Sequence, residues 1–476
     1  MTRTEYIRKD GFLRRDSVEH EGDAEAWSVG TREAGERDGA DLLGMVLDRD
    51  NLNQAYRRVR SNRGSCGVDG MTVDEALPWL KEHGEELLER IRGGKYEPKP
   101  VRRVEIPKGD GGTRKLGIPT VIDRMIQQAI AQVLIPIFEE IFSDGSYGYR
   151  PNRSAGDAIR KVREYADAGY RFAVCLDLSK YFDTLNHEML MGMLRRKLPD
   201  MRLPDLIKKY LKGGVVENGV TVGTEEGSPQ GGNLSPLLAN IYLNEFDREF
   251  EGRGVKVIRY ADDIILLAKS ARAAKRLLRT SAGYLEGKLK LKVNLGKSRA
   301  VSIYSAHNFK FLGFAMGRRK GRAYIRIHAK PKEKAKRKLR ELTSRSQGRN
   351  VRRVMKNVKT FMQGWLGYYS VAEMQATMED WNKWLRRRIR MYIWKQWKTP
   401  RTRIRNLVKL GVPEWRAYRN GNSRKGYWAI AGSGIVSHAI TNERLARAGY
   451  YDIFQEYKSR HLNDRTAVYG SVRTVV

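Results

Sequence analysis

The chain has 476 residues, with 91 Lys and Arg against 55 Asp and Glu, a formal net charge of +36. Such an excess speaks for polyanionic partners rather than for any fold. The two cysteines, Cys66 and Cys175, cannot build a disulfide framework or a Cys-rich zinc site, and apolar runs such as residues 129–138 fall short of the roughly 18–20 needed to span a bilayer. No apolar leader opens the chain, and acidic residues from Asp10 to Glu25 argue against a transit peptide. A reducing, cytoplasmic setting without a membrane partner is the expectation. The charge is uneven: residues 1–50 carry 8 basic and 13 acidic side chains, residues 301–476 carry 40 and 10, with seven of the nine tryptophans. Basic side chains mixed with large aromatics suit phosphate contacts and base packing.

In chain order, residues 1–45 are polar and aperiodic and are expected to be a disordered extension. Helical patterning begins near Leu42 and runs on to Val59. Residues 102–106 and 113–118 alternate around Gly109-Asp110-Gly111-Gly112, which predicts a β-hairpin carrying Lys108 and Arg114. Residues 123–142 read as a long buried helix with a kink at Pro136. The run Phe172 to Leu176 is a strand ending at Asp177. Helices are expected near 187–199, 234–250 and 271–288, with two buried strands on either side of Asp262-Asp263. From Pro331 the pattern is almost wholly helical, with Lys and Arg on the polar faces and Phe361, Trp365, Tyr368, Tyr369, Trp381 and Trp384 in the apolar stripes. Thr399-Pro400 marks a break before a last basic module.

Two acidic strand ends, Asp177 and Asp262-Asp263, lie 85 positions apart, each beside core-forming residues. Collecting such carboxylates is costly unless hard divalent cations neutralise them, and Mg²⁺ held by carboxylates and substrate phosphates meets that need. Paired Mg²⁺ ions can activate a 3′-hydroxyl and stabilise a leaving pyrophosphate, which points to nucleotidyl transfer.

Tyr260-Ala261-Asp262-Asp263, residues 177–183 and Ser228-Pro229-Gln230-Gly231-Gly232-Asn233-Leu234-Ser235-Pro236 together resemble the bacterial group II intron-encoded reverse transcriptases, or maturases. The other motifs follow in the family's order: Gly67-Val68-Asp69-Gly70, Ile106-Pro107-Lys108, Tyr147-Gly148-Tyr149-Arg150-Pro151, Lys297-Ser298 and Phe311-Leu312-Gly313-Phe314. The likeness spans roughly residues 47–460. It implies an α+β right-hand polymerase: fingers over 46–150, a palm with an antiparallel sheet over 151–328, a helical thumb or maturase domain over 329–398, and a small basic DNA-binding-like module over 399–476.

The resemblance also implies roles. Asp177, Asp262 and Asp263 would be catalytic and hold two Mg²⁺ ions, with the Leu178 carbonyl assisting and Asp263 the less direct member. Lys108, Arg114, Phe182 and Gln230 would bind the dNTP, Phe182 excluding a 2′-hydroxyl; Arg102, Arg103 and Lys115 could stand in for the first two. Lys297, Phe311, Leu312 and Gly313 would pack on primer and template. Trp365, Tyr368, Arg386, Arg387, Arg388, Trp394 and Trp397 are the candidates for contact with RNA. Partners would be the group II intron RNA, an RNA template with a DNA primer, dNTPs and target DNA, in the bacterial cytoplasm near the nucleoid; a homodimer is compatible with this. With seven scattered histidines and no Cys-x-x-Cys, the likeness is to members lacking the endonuclease, which implies insertion primed from nascent DNA. The expected function is RNA-directed DNA synthesis joined to splicing and retrohoming. A binding-only splicing maturase and a domesticated reverse transcriptase in a defence system are the alternatives.

Overall fold

The computed structural model describes residues 41–107, 112–217, 219–223, 225–228, 231–305 and 307–470. Asp41 caps the first helix, α1 (Leu42–Val46), accepting from the Gly44 amide at 2.8 Å. Leu42 and Leu43 are buried. The Leu43 amide donates to Asp200 at 2.9 Å, and Arg202 joins Asp41 to Asp200. Leu42 and Leu43 therefore belong to the core, not to the expected extension, whose first forty residues lie outside the described ones.

Helices α2 (Arg49–Ser61) and α3 (Ala76–Arg92) lead into strands β1 (Val101–Pro107) and β2 (Thr113–Ile118), paired antiparallel with Ile106 opposite Arg114. Helix α4 (Val121–Glu139) contains Pro136 and is buried on most sides. It is long and apolar enough to cross a membrane, but 67% of its most apolar window is buried in the protein. A largely apolar helix buried on most sides suits a central core position.

Then follow α5 (Ala155–Asp167), β3 (Phe172–Leu176), a 3₁₀ turn (Tyr181–Asp183), α6 (His187–Lys197), α7 (Arg202–Lys212), β4 (Val215–Glu217) and β5 (Val220–Val222). Next come α8 (Ser235–Gly252), β6 (Lys256–Tyr260), β7 (Asp263–Ala268), α9 (Ala271–Gly287) and β8 (Arg299–Ser302). A four-stranded sheet has the order β6-β7-β3-β8, antiparallel throughout. Because successive side chains alternate between faces, the strands serve two cores. Val174, Leu176, Ile264 and Leu266 join α1–α4 and α6–α9, whereas Ala173, Ile258, Ile265 and Leu267 join α5 and the C-terminal half.

Strand β4 pairs in parallel with β1, Val101 opposite Val215, extending the N-terminal hairpin into a sheet of order β2-β1-β4-β5. The chain after residue 151 thus returns to complete the N-terminal unit, and residue 150 divides no core. On the far side of the central sheet, the hairpin β9 (Phe314–Arg319) and β10 (Arg322–Ile327) precedes α10 (Ala329–Leu342), α11 (Val351–Tyr369) and α12 (Gln375–Gln396). Pro400 opens α13 (Pro400–Lys409), which packs on α14 (Glu414–Gly421). Helices α15 (Tyr427–Ala431), α16 (Gly434–Ala439), α17 (Asn442–Arg447) and α18 (Ile453–Gly470) complete the chain.

Candidate active site

The central sheet brings the acidic residues together through register. Leu176, the last residue of β3, pairs with Ile264, so Asp177 emerges beside Asp263. Tyr260 pairs with Asp263, closing a tight turn around Ala261 and Asp262. Ala261 takes φ +57° there, a left-handed conformation uncommon for a residue with a β-carbon. Asp177 is held along its backbone: its amide donates to Ser298 Oγ at 3.0 Å, and its carbonyl accepts from the Asn294 amide at 2.8 Å. Leu178 bridges to Val293.

Beneath the turn lies a buried polar network. Arg259 and Asp247 of α8 are both fully buried, with Arg259 Nε donating to the two carboxylate oxygens at 3.0 and 2.7 Å. Arg259 Nη1 donates to the Asn240 amide oxygen at 2.8 Å and to the Ala261 carbonyl at 3.2 Å. Asn240 Nδ2 in turn donates to the Gly148 carbonyl at 2.8 Å. A β-carbon at Gly148 would collide with the Ala261 amide nitrogen. One ion pair therefore fixes both the Asp262 turn and the segment packed on it.

Asp262 and Asp263 reach solvent, although both sit deep among protein atoms. The surrounding protein raises the Asp262 carboxyl, as does Asp177, while Arg114 pulls it down. Burial, Asp262 and Asp177 push Asp263 up to about 6, with Lys310 opposing. These anions repel one another in partly desolvated surroundings and would be relieved by a cation. Among the described residues, no three or more His, Cys, Asp or Glu side chains form a ready metal-binding group. An all-oxygen carboxylate set, open toward solvent, suits Mg²⁺, which keeps waters and takes phosphate oxygens rather than needing a protein cage.

The raised Asp263 carboxyl gives a stability prediction for the metal-free protein. Its folded value lies above the unfolded one, so its contribution is fully present below about pH 4 and is lost as pH rises through about 6. Asp263→Asn should therefore melt above wild type at pH 7.5 in chelator, and the gap should close between about pH 6 and 4. Thermal melts across that range check it; a variant melting at or below wild type at pH 7.5 contradicts it.

Of the residues expected to meet a nucleotide, Lys108 and Gln230 lie outside the described residues. Arg114 is exposed on β2 and close enough to Asp262 to bias its charge. Phe182 is half-buried, its ring centroid 5.3 Å from that of Tyr181. Its carbonyl accepts from the Ser228 amide at 2.6 Å, and buried His187 meets the Gly227 carbonyl at 2.6 Å. Gly231, at φ +126°, faces β2 so closely that a β-carbon would strike the Gly117 carbonyl oxygen. Ser228 is thus tied to Phe182, and Gly231 packs against the strand that carries Arg114.

Lys297 places Nζ 3.8 Å from the Asp177 carboxylate. Phe311 is buried, and Leu312 and Gly313 form a tight turn at φ +50° and +83°. The Leu312 carbonyl accepts from the Tyr368 hydroxyl at 3.0 Å, and Gly313 abuts Tyr369 and Pro331. This string is a junction between β9 and α11, leaving only Leu312 partly exposed.

The candidates for RNA contact divide. Trp365 and Trp394 are core residues, 9% and 2% exposed. Trp397 is half-buried against Trp394, and Tyr368 stacks on Phe314. Arg386 pairs with Asp452, Arg387 donates to the Trp428 carbonyl and covers its ring at 4.1 Å, and Arg388 bonds Thr343 and the Arg340 carbonyl. These arginines pin α12 to its neighbours. Tyr368 is 38% exposed, and Trp415 at 64% and Tyr418 at 63% are more so, three apart on α14 beside Arg416 and Arg419.

The sequence profile described as reverse transcriptase (RNA-dependent DNA polymerase) matches residues 106–316, and that of the group II intron maturase-specific domain matches 332–411. Protein YkfC of Escherichia coli (strain K12) is 35% identical over 345 residues, 64% of this chain and 90% of its own length. The group II intron-encoded protein LtrA of Lactococcus lactis subsp. cremoris is 41% identical over 209 residues, 44% of this chain but only 34% of LtrA. A solved partial Cas6-RT-Cas1–Cas2 complex matches 52% of this chain and 42% of its own at 25% identity, with a TM-score of 0.34, too low to bear on function.

The acidic sheet edge and these matches define a reverse transcriptase, an RNA-directed DNA polymerase. The maturase-specific domain that follows it makes the assignment narrower: the chain belongs to the group II intron reverse transcriptase/maturase family.

Proposed function

We propose that the protein binds its own group II intron RNA to promote splicing and copies that RNA into DNA as the intron inserts at a target site. The carrying observation is that Asp177, Asp262 and Asp263 share one end of the central sheet, in the region matched as reverse transcriptase and upstream of the maturase-specific region. In this reading β6, β7, β3 and β8 are the palm, the β1/β2 hairpin belongs to the fingers, and α10–α12 are the thumb. Asp177, Asp262, Asp263 and the Leu178 carbonyl would hold Mg²⁺, which when bound supplies positive charge to the reacting phosphate oxygens. Arg114, with Lys108, grips the triphosphate; the Arg fork suits two phosphate oxygens at once. Gln230 and Phe182 line the nucleotide's sugar and base side.

In this reading the Phe182 ring, packed against Tyr181, blocks a 2′-hydroxyl. Phe182→Ala should therefore narrow the preference for dNTPs over rNTPs by about tenfold or more, read as the ratio of kcat/KM values. An unchanged ratio removes Phe182 as the sugar gate.

Intron RNA would lie on the basic C-terminal third, where Trp415 and Tyr418 offer exposed aromatic surface that buried Trp365 and Trp394 do not. The test is splicing of the flanking RNA alongside primer extension on an RNA template. Extension lost and splicing kept in Asp262→Asn supports two separable functions. No cDNA from wild type over a range of Mg²⁺ and salt leaves a binding-only maturase. Active extension with no responsive neighbouring intron favours a domesticated enzyme.

A further inference from the structure

Tyr149 is an exposed aromatic between two buried neighbours, 44% exposed, with its backbone at φ +58°. A bulky residue in that conformation persists only where its surroundings over-determine it, and such positions gather at functional sites. Both flanks are clamped. On one side, Asn240 Nδ2 donates to the Gly148 carbonyl and Gly148 presses on the Tyr260–Ala261 backbone. On the other, buried Arg150 binds Glu139 through Nη2 at 2.6 Å and the Ser146 carbonyl at 2.9 Å, and lies over the Phe142 ring.

The segment is also stitched to the strand that leads into the catalytic turn. The Arg259 amide donates to the Gly145 carbonyl and the Tyr147 amide to the Arg259 carbonyl, both at 2.8 Å. Residues 145–147 therefore run as an added edge beside β6, and Tyr149 follows where the turn presents Asp262. Burial raises its phenol, as do the charges of Asp262 and Asp263, while Arg114 lowers it. The network that holds the Asp262 turn thus also sets the position of Tyr149.

We infer that Tyr149 is a substrate-contacting residue, its ring forming an apolar wall against the base and sugar of the incoming deoxynucleotide beside the Asp262 turn. This rests on the polymerase reading of the site. An aromatic face meets any base without regard to sequence, as template-directed synthesis requires, and stacking of this kind is worth roughly ten- to a hundredfold in affinity. The residue has no need to donate a hydrogen bond in this role, so the ring and not the hydroxyl carries it.

The test uses the full chain in steady-state primer extension on an RNA template with each dNTP, together with thermal melts. Tyr149→Phe should match wild type. Tyr149→Ala and Tyr149→Gly should raise KM for dNTP by roughly tenfold or more, with kcat less affected. Glycine adopts positive φ at no steric cost, so Tyr149→Gly should melt at or above wild type while showing the same KM defect. A merely structural tyrosine would give the opposite pattern: a lower melting temperature and an unchanged KM. An unchanged KM in Tyr149→Gly with an active wild type overturns this inference alone. An inactive wild type sinks the polymerase reading, and this one with it.

Discussion

Asp262→Asn should reduce nucleotide incorporation on a primed RNA template by about three orders of magnitude or more, while RNA affinity stays within about twofold. The rate loss follows from the charge. Asparagine keeps the shape of the side chain but removes the anion that would hold a cation at the reacting phosphate, and such charge stabilisation is worth several kcal/mol. The fold should not suffer, because Asp262 sits at the solvent-facing end of a two-residue turn and its ionised form is already disfavoured by the surrounding protein. RNA affinity should hold because the basic excess lies mainly in residues 301–476, on the other side of the central sheet. Single-turnover incorporation at saturating dNTP and equilibrium RNA binding at one fixed salt concentration check both halves. Incorporation surviving within tenfold would remove Asp262 from the chemistry. A matching loss of RNA affinity would mean that the site and the RNA surface are one.

The sequence made the parts of this site legible where local pattern dictates local structure. The alternating runs around Gly109 to Gly112 specify the β1/β2 hairpin, and the apolar strands flanking Asp262-Asp263 specify the turn between β6 and β7. Pairings between distant segments were not visible. The parallel ladder of β1 with β4 joins residues more than a hundred positions apart, and nothing in either strand names its partner. Arg259 did leave a signal, a charge directly after the apolar pair Val257-Ile258 in a buried strand, but its partners Asp247 and Asn240 lie one helix earlier. The tryptophans show the limit most plainly. Trp365 and Trp415 both stand in basic helices, yet Trp365 falls in a stripe with Val358, Met362 and Leu366 and is buried with them, whereas Trp415 does not. Weighing that spacing against the charge would have separated the core ring from the exposed one.

Asp247→Ala should be the most destabilising single change near the site, costing about 3–5 kcal/mol, because it strands the Arg259 guanidinium in the core without its counter-charge. Both side chains have no exposed surface, and the remaining acceptors, Asn240 and the Ala261 carbonyl, carry no charge. Urea denaturation measures the loss. The compensating pair Asp247→Leu with Arg259→Met removes both charges in similar volume and should recover most of that stability, since an apolar replacement spares the desolvation of two ions. Polymerase activity should not recover with it. Methionine offers no donor to the Ala261 carbonyl or to Asn240, so the Asp262 turn and the Gly148 segment lose their common anchor, and small misplacements of reacting groups cost up to roughly a hundredfold in rate. Stability regained without rate therefore identifies the ion pair as a positioning device for the acidic turn. Recovery of both would reduce it to ordinary packing under the sheet, and the strained backbone at Ala261 would then need another support.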